Sequence, residues 1–310
     1  MKINTKSDFV AMDDGARLAL HTWIPEIGIR YVVVISHGMA EYALRYDRFA
    51  RFLAENGIAV YAHDHRGHGK TAVCEDDLGF LAEKDGFQRV VSDLRRIIQK
   101  SRLDFPQAKI ILFGHSFGSF VAQSFIEQFS NEIDACILSG TAGPRLALSI
   151  AGNRIAAAVK CFKGSRYRSK FLDKLSFSSY LDRIPESEKN SPFAWLSRDK
   201  DQVKKYEADP LCGFLCTAGF FYDLTAGLSR IHRKKNMAGI RGDLPVFLFA
   251  GTADPVGGYT KTIRALAAVY RKNGIQDVSE KYYEDGRHEM LNELNYDEVY
   301  ADIFSWITSH

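Results

Sequence analysis

One segment in the first half of the chain restricts the fold more than any other. Residues 109–113, KIILF, have the pattern of a strand buried on both faces, and residues 117–129 have the pattern of an apolar helix. Between them stands GHSFG at 114–118, a Gly-x-Ser-x-Gly sequence. A sharp strand-to-helix turn of this kind needs glycines and raises the serine hydroxyl above the sheet edge. The pattern predicts a reactive Ser116; the alternative is a glycine-rich turn with an incidental serine.

The same alternation of short apolar runs and longer helical patterns continues along most of the chain. Strands are predicted at 17–24, 31–36, 58–62, 109–113, 135–139, 245–250 and 278–283. Helices are predicted at 46–56, 87–103, 117–129, 260–272 and 296–307. Strands that alternate with helices in this way favour the α/β class, with a mostly parallel sheet covered on both faces.

One long stretch interrupts this rhythm. Between residue 143 and about residue 235 the patterns are helical and no strand is predicted. The stretch holds 18 Lys and Arg against 9 Asp and Glu, a net charge of +9, so the rest of a chain whose net charge is +3 carries −6. We therefore predict a first core part at 1–142, a basic helical cap at 143–235 and a second core part at 236–310.

Two further residues have the chemistry and the positions that a serine nucleophile requires. A serine hydroxyl needs a base to take its proton, and a carboxylate to orient that base. His288 lies between the last predicted strand and the last helix, and Asp254 follows the predicted strand 245–250. The order Ser, Asp, His occurs in one known arrangement of such triads. Asp285 is a rival for the acid, but its place on the loop of His288 favours a role in turn geometry.

The reaction of a serine nucleophile also needs N–H groups that stabilise an oxyanion. The first is expected to be the backbone N–H of Phe117, directly after the nucleophile. The second is expected to be that of Met39, since His37-Gly38-Met39 follows the predicted strand 31–36. A tight turn with a packed histidine is the alternative interpretation of His37-Gly38.

Metal and disulfide chemistry receive little support from the sequence. The loop DHRGHG at 64–69 contains potential ligands, but its glycines favour a rigid turn in which Asp64 pairs with Arg66 and braces the oxyanion loop. The spacing of Cys212 and Cys216 could place two zinc ligands on one helix face, yet no second pair follows, so two buried helix cysteines are predicted. The odd number of scattered cysteines argues against a disulfide framework.

Composition limits the partners that we expect. A net charge of +3 is too small to indicate nucleic-acid binding. The first residues lack the apolar stretch of a signal peptide, and no run of about 18 apolar residues occurs, so we expect a cytoplasmic protein without a membrane span. Ile155, Val159 and Phe162 recur at helical spacing among basic residues, which suggests peripheral contact with an anionic inner membrane face. A solvated basic face is the alternative.

Five motifs together resemble one known family. They are HGMAEY (37–42), DHRGHGKT (64–71), GHSFGS (114–119), GTADPV (251–256) and DGRHEMLNE (285–293). Their residues and order resemble the monoacylglycerol lipase and lysophospholipase branch of the α/β-hydrolases. The resemblance implies an α/β-hydrolase fold of about eight strands with an inserted helical cap, no cofactor, and hydrolysis of monoacylglycerol-like or lysophospholipid-like esters. It gives Ser116, Asp254 and His288 the triad roles, and Met39 and Phe117 the oxyanion roles.

The resulting expectation is a serine hydrolase that cleaves small lipid-like carboxylic esters through an acyl-enzyme. Apolar cap residues are candidates for lining the acyl pocket, and the core of the cap is their alternative role: Phe214, Leu215, Phe220 and Phe221. An aminopeptidase-type peptide hydrolase of the same fold is the second hypothesis. A non-catalytic binding protein is the third, and the complete triad argues against it. The sequence predicts no oligomeric state.

Overall fold

The computed structural model describes residues 2–26 and 28–310 and is built around one sheet of eight strands. The strands are β1 (Ile3–Ala11), β2 (Arg17–Pro25), β3 (Tyr31–Ser36), β4 (Ile58–His63), β5 (Lys109–His115), β6 (Ala135–Ser139), β7 (Val246–Gly251) and β8 (Val278–Tyr283). Their order is β1-β2-β4-β3-β5-β6-β7-β8, and β2 pairs antiparallel with both β1 and β4. All other pairs are parallel, which confirms the predicted mostly parallel sheet.

The helices cover both faces of this sheet. They are α1 (Asp47–Glu55), α2 (Gly86–Asp104), α3 (Phe117–Phe129), α4 (Leu146–Lys163), α5 (Lys170–Phe177), α6 (Lys200–Ala208), α7 (Ala218–Ile231), α8 (Lys234–Met237), α9 (Lys261–Lys272) and α10 (Tyr296–Ser309). Successive side chains of a strand point to opposite faces, so β3 contributes to two separate cores. Val32 and Val34 pack in the core that includes residues of α2, α3 and α9, whereas Val33 and Ile35 pack with residues of α1 and α10.

The predicted interruption corresponds to five helices between β6 and β7. Helices α4 to α8 follow one another there without a strand, apart from an isolated bridge between Arg168 and Thr217. Helix α7 belongs to this insertion, yet its Phe220 is fully buried in the same core as α2 and α3. The boundaries given above for the cap therefore remain a prediction. Among the described helices, none is both long enough and apolar enough to cross a bilayer.

The parallel strands bring the predicted motifs to one edge of the sheet. Strands β3, β4, β5, β7 and β8 run in the same direction, so the loops that follow them meet at their carboxyl ends. The five motifs are in these loops, or at the strand ends that lead into them. Open α/β sheets bind their ligands at this edge, which is where a functional site is expected.

Candidate active site

Ser116 occupies the sharp turn between β5 and α3. Its backbone has φ 51° and ψ −119°, and its N–H donates to the Ser139 carbonyl at 3.0 Å. A Cβ atom on Gly118 would collide with the carbonyl oxygen of Ser36, and one on Gly114 would lie 2.6 Å from the carbonyl oxygen of Gly118. Both glycines are therefore needed for helix α3 to approach the sheet, as the sequence pattern predicts.

His288 and Asp254 are joined by a buried hydrogen bond. The distance from His288 Nδ1 to Asp254 Oδ2 is 3.0 Å, and the other carboxylate oxygen accepts from the Val256 N–H at 2.9 Å. Burial alone would lower the pKa of His288, but the Asp254 carboxylate, together with those of Glu289 and Glu41, outweighs that effect, so the pKa lies above its ordinary value. The sequence-predicted acid and base are thus in contact, whereas Asp285 donates its N–H to Thr252 in a turn.

The ring of His288 lies next to the turn that holds Ser116. A Cβ atom on Gly140 would come within 3.0 Å of His288 Nδ1, and Gly140 directly follows Ser139, the hydrogen-bond partner of Ser116. The ring of His115, the residue before Ser116, has its centroid 4.8 Å from that of His288. Among the described residues no hydrogen bond joins the Ser116 hydroxyl to His288. Such bonds often tighten only when substrate is bound.

The two predicted oxyanion donors belong to segments that adjoin Ser116, the predicted nucleophile. Phe117 is the first residue of α3, and its side chain is buried. Met39 follows Gly38, on which a Cβ atom would be 3.3 Å from Ser116 Cβ. The loop that carries Met39 therefore runs beside Ser116. The oxyanion roles of Met39 and Phe117 remain predictions.

A buried ion-pair network connects this oxyanion loop with the loop of His288. Glu41 Oε1 accepts from the Gly38 N–H at 2.5 Å, and Glu41 Oε2 accepts from Arg45 at 2.6 Å. Arg45 also donates to both carboxylate oxygens of Glu289, at 2.7 Å each. Sequence reasoning missed this network. The four-residue spacing of Glu41 and Arg45 was a local signal, but the contact with Glu289 depends on the tertiary structure.

The loop after β4 braces the oxyanion loop, although not in the predicted way. The carboxylate of the fully buried Asp64 accepts from the Ala43 N–H at 2.8 Å and from the Lys70 N–H at 2.7 Å. Arg66 instead binds Asp93 and Asp14 with four hydrogen bonds of 2.6–3.0 Å. The predicted Asp64–Arg66 pair is therefore wrong, because the long Arg66 side chain extends outward while Asp64 stays inside.

Four buried histidines pack behind the oxyanion loop: His37, His63, His65 and His68. The ring centroids of His37 and His65 are 4.1 Å apart, and those of His63 and His65 are 4.8 Å apart. His37 Nε2 accepts from the His65 N–H, so Nδ1 carries the proton that His37 donates to the Gly38 carbonyl. These bonds require a neutral His37. Burial lowers the pKa of all four, for His63 and His68 to about 4.

The insertion contacts the oxyanion loop directly. The carbonyl of Ala40, a residue with φ 51°, accepts from the Tyr206 hydroxyl and from the Gly213 N–H, both at 2.9 Å. The Tyr42 hydroxyl donates to Asp209 at 2.7 Å. Residues 206–213 of the insertion therefore help to fix the conformation of the loop that carries Met39.

The four cap residues predicted to line an acyl pocket have different environments. Phe214 is half-buried, with its ring centroid 5.3 Å from that of His68, and it lines a groove of about 440 Å³ beside Leu78 and Leu211. Leu215 is also half-buried, and its carbonyl accepts from Arg168. Phe220 and Phe221 are buried in the main core, where Phe220 lies 5.1 Å from Phe117 between ring centroids. Their role in substrate binding remains a prediction.

The pair Cys212 and Cys216 is buried, as predicted, but not on a helix. Both residues precede α7 and lie in the segment between α6 and α7, so the prediction of two helix cysteines is wrong in that respect. A threonine, Thr217, begins the helix instead, because its side chain accepts from the Phe220 N–H. Within residues 2–26 and 28–310 no group of His, Cys, Asp and Glu has the geometry of a metal site.

Known proteins resemble this chain along nearly its whole length. A family model described as "Serine aminopeptidase, S33" matches residues 28–295. The monoacylglycerol lipase of Mycolicibacterium smegmatis is 29% identical over 303 residues, which cover 96% of this chain and 94% of that protein. The monoglyceride lipase of Rattus norvegicus is 28% identical, with 95% of this chain and 88% of that protein covered.

Solved structures agree with the fold. A thermostable carboxyl esterase from Bacillus coagulans, in complex with glycerol, superposes with a TM-score of 0.88 at 25% identity over 100% of this chain and 99% of its own. A structure described as a lipase in its open form gives a TM-score of 0.89 at 24% identity over 99% of both chains. The architecture of the chain is thus that of the α/β-hydrolases, as the five motifs suggest.

Proposed function

Because the chain belongs to the serine aminopeptidase, S33 family of α/β-hydrolases, we propose that Ser116, His288 and Asp254 are the catalytic triad of its ester hydrolysis. The observation that carries this proposal is the buried His288–Asp254 hydrogen bond of 3.0 Å beside the turn of Ser116. Relatives named monoacylglycerol and monoglyceride lipases match over most of their length and support a carboxylic ester hydrolase.

The proposed mechanism follows from the roles that this arrangement allows. His288 takes the proton of Ser116 while Ser116 attacks the ester carbonyl, and Asp254 stabilises the imidazolium that forms. The N–H groups of Phe117 and Met39 donate hydrogen bonds to the developing oxyanion. His288 then protonates the leaving alcohol, which leaves an acyl-enzyme on Ser116. Water, deprotonated by His288, then attacks the acyl carbonyl. The bond to Ser116 Oγ breaks, His288 returns the proton to Ser116, and the acid is released.

A monoacylglycerol-like or lysophospholipid-like ester is the proposed substrate class, in preference to a peptide. An aminopeptidase must bind the ammonium group of its substrate, for which a free carboxylate is the natural partner. Glu41 and Glu289 are close to the ring of His115, but both carboxylates already accept hydrogen bonds from Arg45, so neither is free. This pairing favours an uncharged ester.

The nucleophile is tested by Ser116→Ala. We expect a folded protein in which ester hydrolysis falls by about a thousandfold or more, as losses of triad members do. Reaction with a fluorophosphonate probe should label the wild-type protein and not this variant. Near-normal activity in a folded Ser116→Ala protein would overturn the proposed mechanism.

The substrate class is tested with a panel that contains monoacylglycerols, lysophospholipids and aminoacyl arylamides. The proposal expects kcat/KM to be highest for one of the two lipid ester classes. Preferential cleavage of the arylamides, lost in Ser116→Ala, would retain the triad and make the protein a peptide hydrolase instead.

Peripheral contact between the insertion and an anionic lipid surface is part of the same proposal. Several apolar side chains of the insertion are exposed, among them Phe162 at 84%, Leu148 at 65%, Phe171 at 60% and Leu175 at 53%. Lys163, Lys170 and Lys174 are exposed beside them. Of the residues that the sequence analysis named, Ile155 and Phe162 are exposed, whereas Val159 packs against the core. An exposed apolar surface with basic neighbours suits the interface of an anionic membrane.

A further inference from the structure

Trp195 of the insertion lies beside the proposed catalytic base. Its ring centroid is 5.0 Å from that of His288, with an angle of 41° between the ring planes. Trp195 is one of three tryptophans in the chain, and its segment joins α5 to α6, far from His288 in sequence. Neither the sequence motifs nor the fold required an aromatic residue at this place.

Hydrogen bonds on both sides of Trp195 fix its position. The Glu289 N–H donates to the Leu196 carbonyl at 2.7 Å, and the His288 N–H donates to the carbonyl of Trp195 itself at 3.4 Å. The buried Arg287 side chain donates to the carbonyls of Ala194 and Ser197, at 2.8 and 3.1 Å. The segment 194–197 is therefore attached to the loop of His288 itself, so the indole and the imidazole are held together.

Further aromatic rings support Trp195 within the insertion. The ring of Tyr180 packs against it edge to face at a centroid distance of 4.9 Å, and that of Phe177 stacks on it at 6.2 Å. This packing limits the rotation of the indole. It also leaves the π-electrons of Trp195 close to a ring that must become positively charged during the reaction.

A cation that lies over the face of an aromatic ring, within about 6 Å of its centroid, is attracted by the quadrupole of the ring, and tryptophan attracts it best. In the proposed mechanism, His288 starts as a neutral base and becomes cationic when it takes a proton from Ser116. Relying on the role of His288 in the proposed function, we propose that Trp195 is a positioning residue that acts through His288 and stabilises its imidazolium form. The insertion thereby supplies an aromatic ring that stabilises the positive charge on His288.

Other titratable and charged groups around His288 also affect its pKa. Asp254 binds its Nδ1 from the loop after β7, and the carboxylates of Glu289 and Glu41 lie on its own loop and on the oxyanion loop. Arg45 pairs with both of these glutamates. His115 of β5 adds no positive charge, because burial and the neighbouring His288 lower its pKa to about 3. Asp254 also lies near the hydroxyl of Tyr180, which burial keeps neutral.

Fluorinated tryptophans test this proposal without changing the shape of the site. Each added fluorine withdraws electrons from the indole and weakens its attraction for a cation, while its packing is almost unchanged. The protein is labelled with monofluoro-, difluoro- or trifluorotryptophan and with [13Cε1]-histidine, and the pKa of His288 is measured by NMR titration. We expect the pKa to fall stepwise, by about half a unit to one unit over the series.

Trp195→Phe provides the matched control, because it keeps Trp23 and Trp306 as sites of labelling. Fluorination of this variant should leave the pKa of His288 unchanged. In the wild-type protein, the acid limb of kcat/KM should move to lower pH together with the pKa, and KM should change little. A pKa that does not respond to fluorination, or that responds equally in Trp195→Phe, would overturn the proposal.

The two experiments distinguish an error in the role of Trp195 from an error in the proposed triad. The NMR titration reports on His288 whether or not the protein hydrolyses esters. If Ser116→Ala kept full activity, the triad would be wrong, although the pKa could still respond to fluorination. If Ser116→Ala were inactive and the pKa did not respond, the triad would stand and only the role of Trp195 would fall.

Discussion

Ser116, the proposed nucleophile, has a backbone conformation that few side chains tolerate. A φ of 51° with ψ of −119° is rare outside glycine, and such strain persists only where the surroundings enforce it. Here the hydrogen bond to Ser139 and the close approach at Gly114 and Gly118 enforce it. The sharp turn and its two glycines depend only on neighbouring residues, so the sequence pattern alone was sufficient to predict them.

The two aspartates near His288 provide a sharp comparison at the same scale. Asp254→Asn should lower kcat by about 10⁴-fold, because an amide does not hold the imidazole in the required tautomer. Asp285→Asn should have little effect, since Asp285 has φ 53° and asparagine also tolerates that conformation. Both variants are measured with one ester under identical conditions. A more severe loss in Asp285→Asn would mean that the acid is wrongly assigned.

Between elements, Arg45 connects the oxyanion loop before α1 with the loop after β8. Its side chain is 11% exposed, and the carboxylates of Glu41 and Glu289 are still less exposed. Removal of one partner from a buried network leaves charges without compensation, which costs about 3–5 kcal/mol. We therefore expect Arg45→Ala to lower the free energy of unfolding by this amount.

Arg51 provides the matched control for this prediction, because it also pairs with an acidic residue four positions earlier. The side chains of Arg51 and Asp47 are 48% and 42% exposed, so Arg51→Ala should cost less than about 1 kcal/mol. Urea unfolding followed by circular dichroism measures both variants. If both variants lost the same free energy of unfolding, the buried position of Arg45 would not be the reason for its importance.

The elements differ in how well the sequence predicted them. Strands β3 to β7 were predicted because an apolar run buried on both faces is a strong local signal. Strand β1 was missed, since Ile3–Ala11 is largely exposed and shows no apolar alternation. Ser116, Asp254 and His288 follow predicted strands, so the contact of Asp254 with His288 beside the turn of Ser116 could be foreseen. Trp195 could not, because its contact with His288 joins segments that are remote in the sequence.

At the scale of the whole molecule, the separation of charge predicts an oriented approach to membranes. Under the membrane proposal, the net charge of +9 in residues 143–235, against −6 in the rest, would direct the insertion toward an anionic surface. Each basic residue there contributes about 1 kcal/mol. We expect cosedimentation with phosphatidylserine vesicles that weakens with salt. The triple reversal of Lys163, Lys170 and Lys174 to Glu should reduce binding by at least about tenfold.

An equal reversal of charge outside the insertion controls for net charge. Lys2, Arg96 and Lys272 are exposed, and their joint replacement by Glu should affect binding less than the triple change in the insertion. Arg166 and Arg168 are poor choices for this test, because they bind Asp77 and the Leu215 carbonyl and help to hold the insertion in place. Equal binding to neutral and anionic vesicles at low salt would exclude the membrane proposal.

The buried histidines behind the oxyanion loop couple the stability of the protein to proton uptake. Their pKa values are lower in the folded chain than in the unfolded one, so the unfolded chain binds the extra protons as the pH falls below about 6.5. Each of these histidines should then lower the free energy of unfolding by about 1.4 kcal/mol for each pH unit of acidification. This loss continues until the pH reaches the pKa of the histidine in the folded chain, which is about 4 for His63 and His68. The pKa of His288 is raised instead, so His288 contributes in the opposite direction.

Urea unfolding at pH 7.5 and pH 5.5 measures this cost, and an unchanged midpoint would contradict it. We therefore expect acid to inactivate the protein by two separable routes. Protonation of His288 is immediate and reversible, whereas proton uptake by the inner histidines requires the chain to open and proceeds at the rate of unfolding. A brief exposure to mild acid should leave activity recoverable, and a long exposure should not.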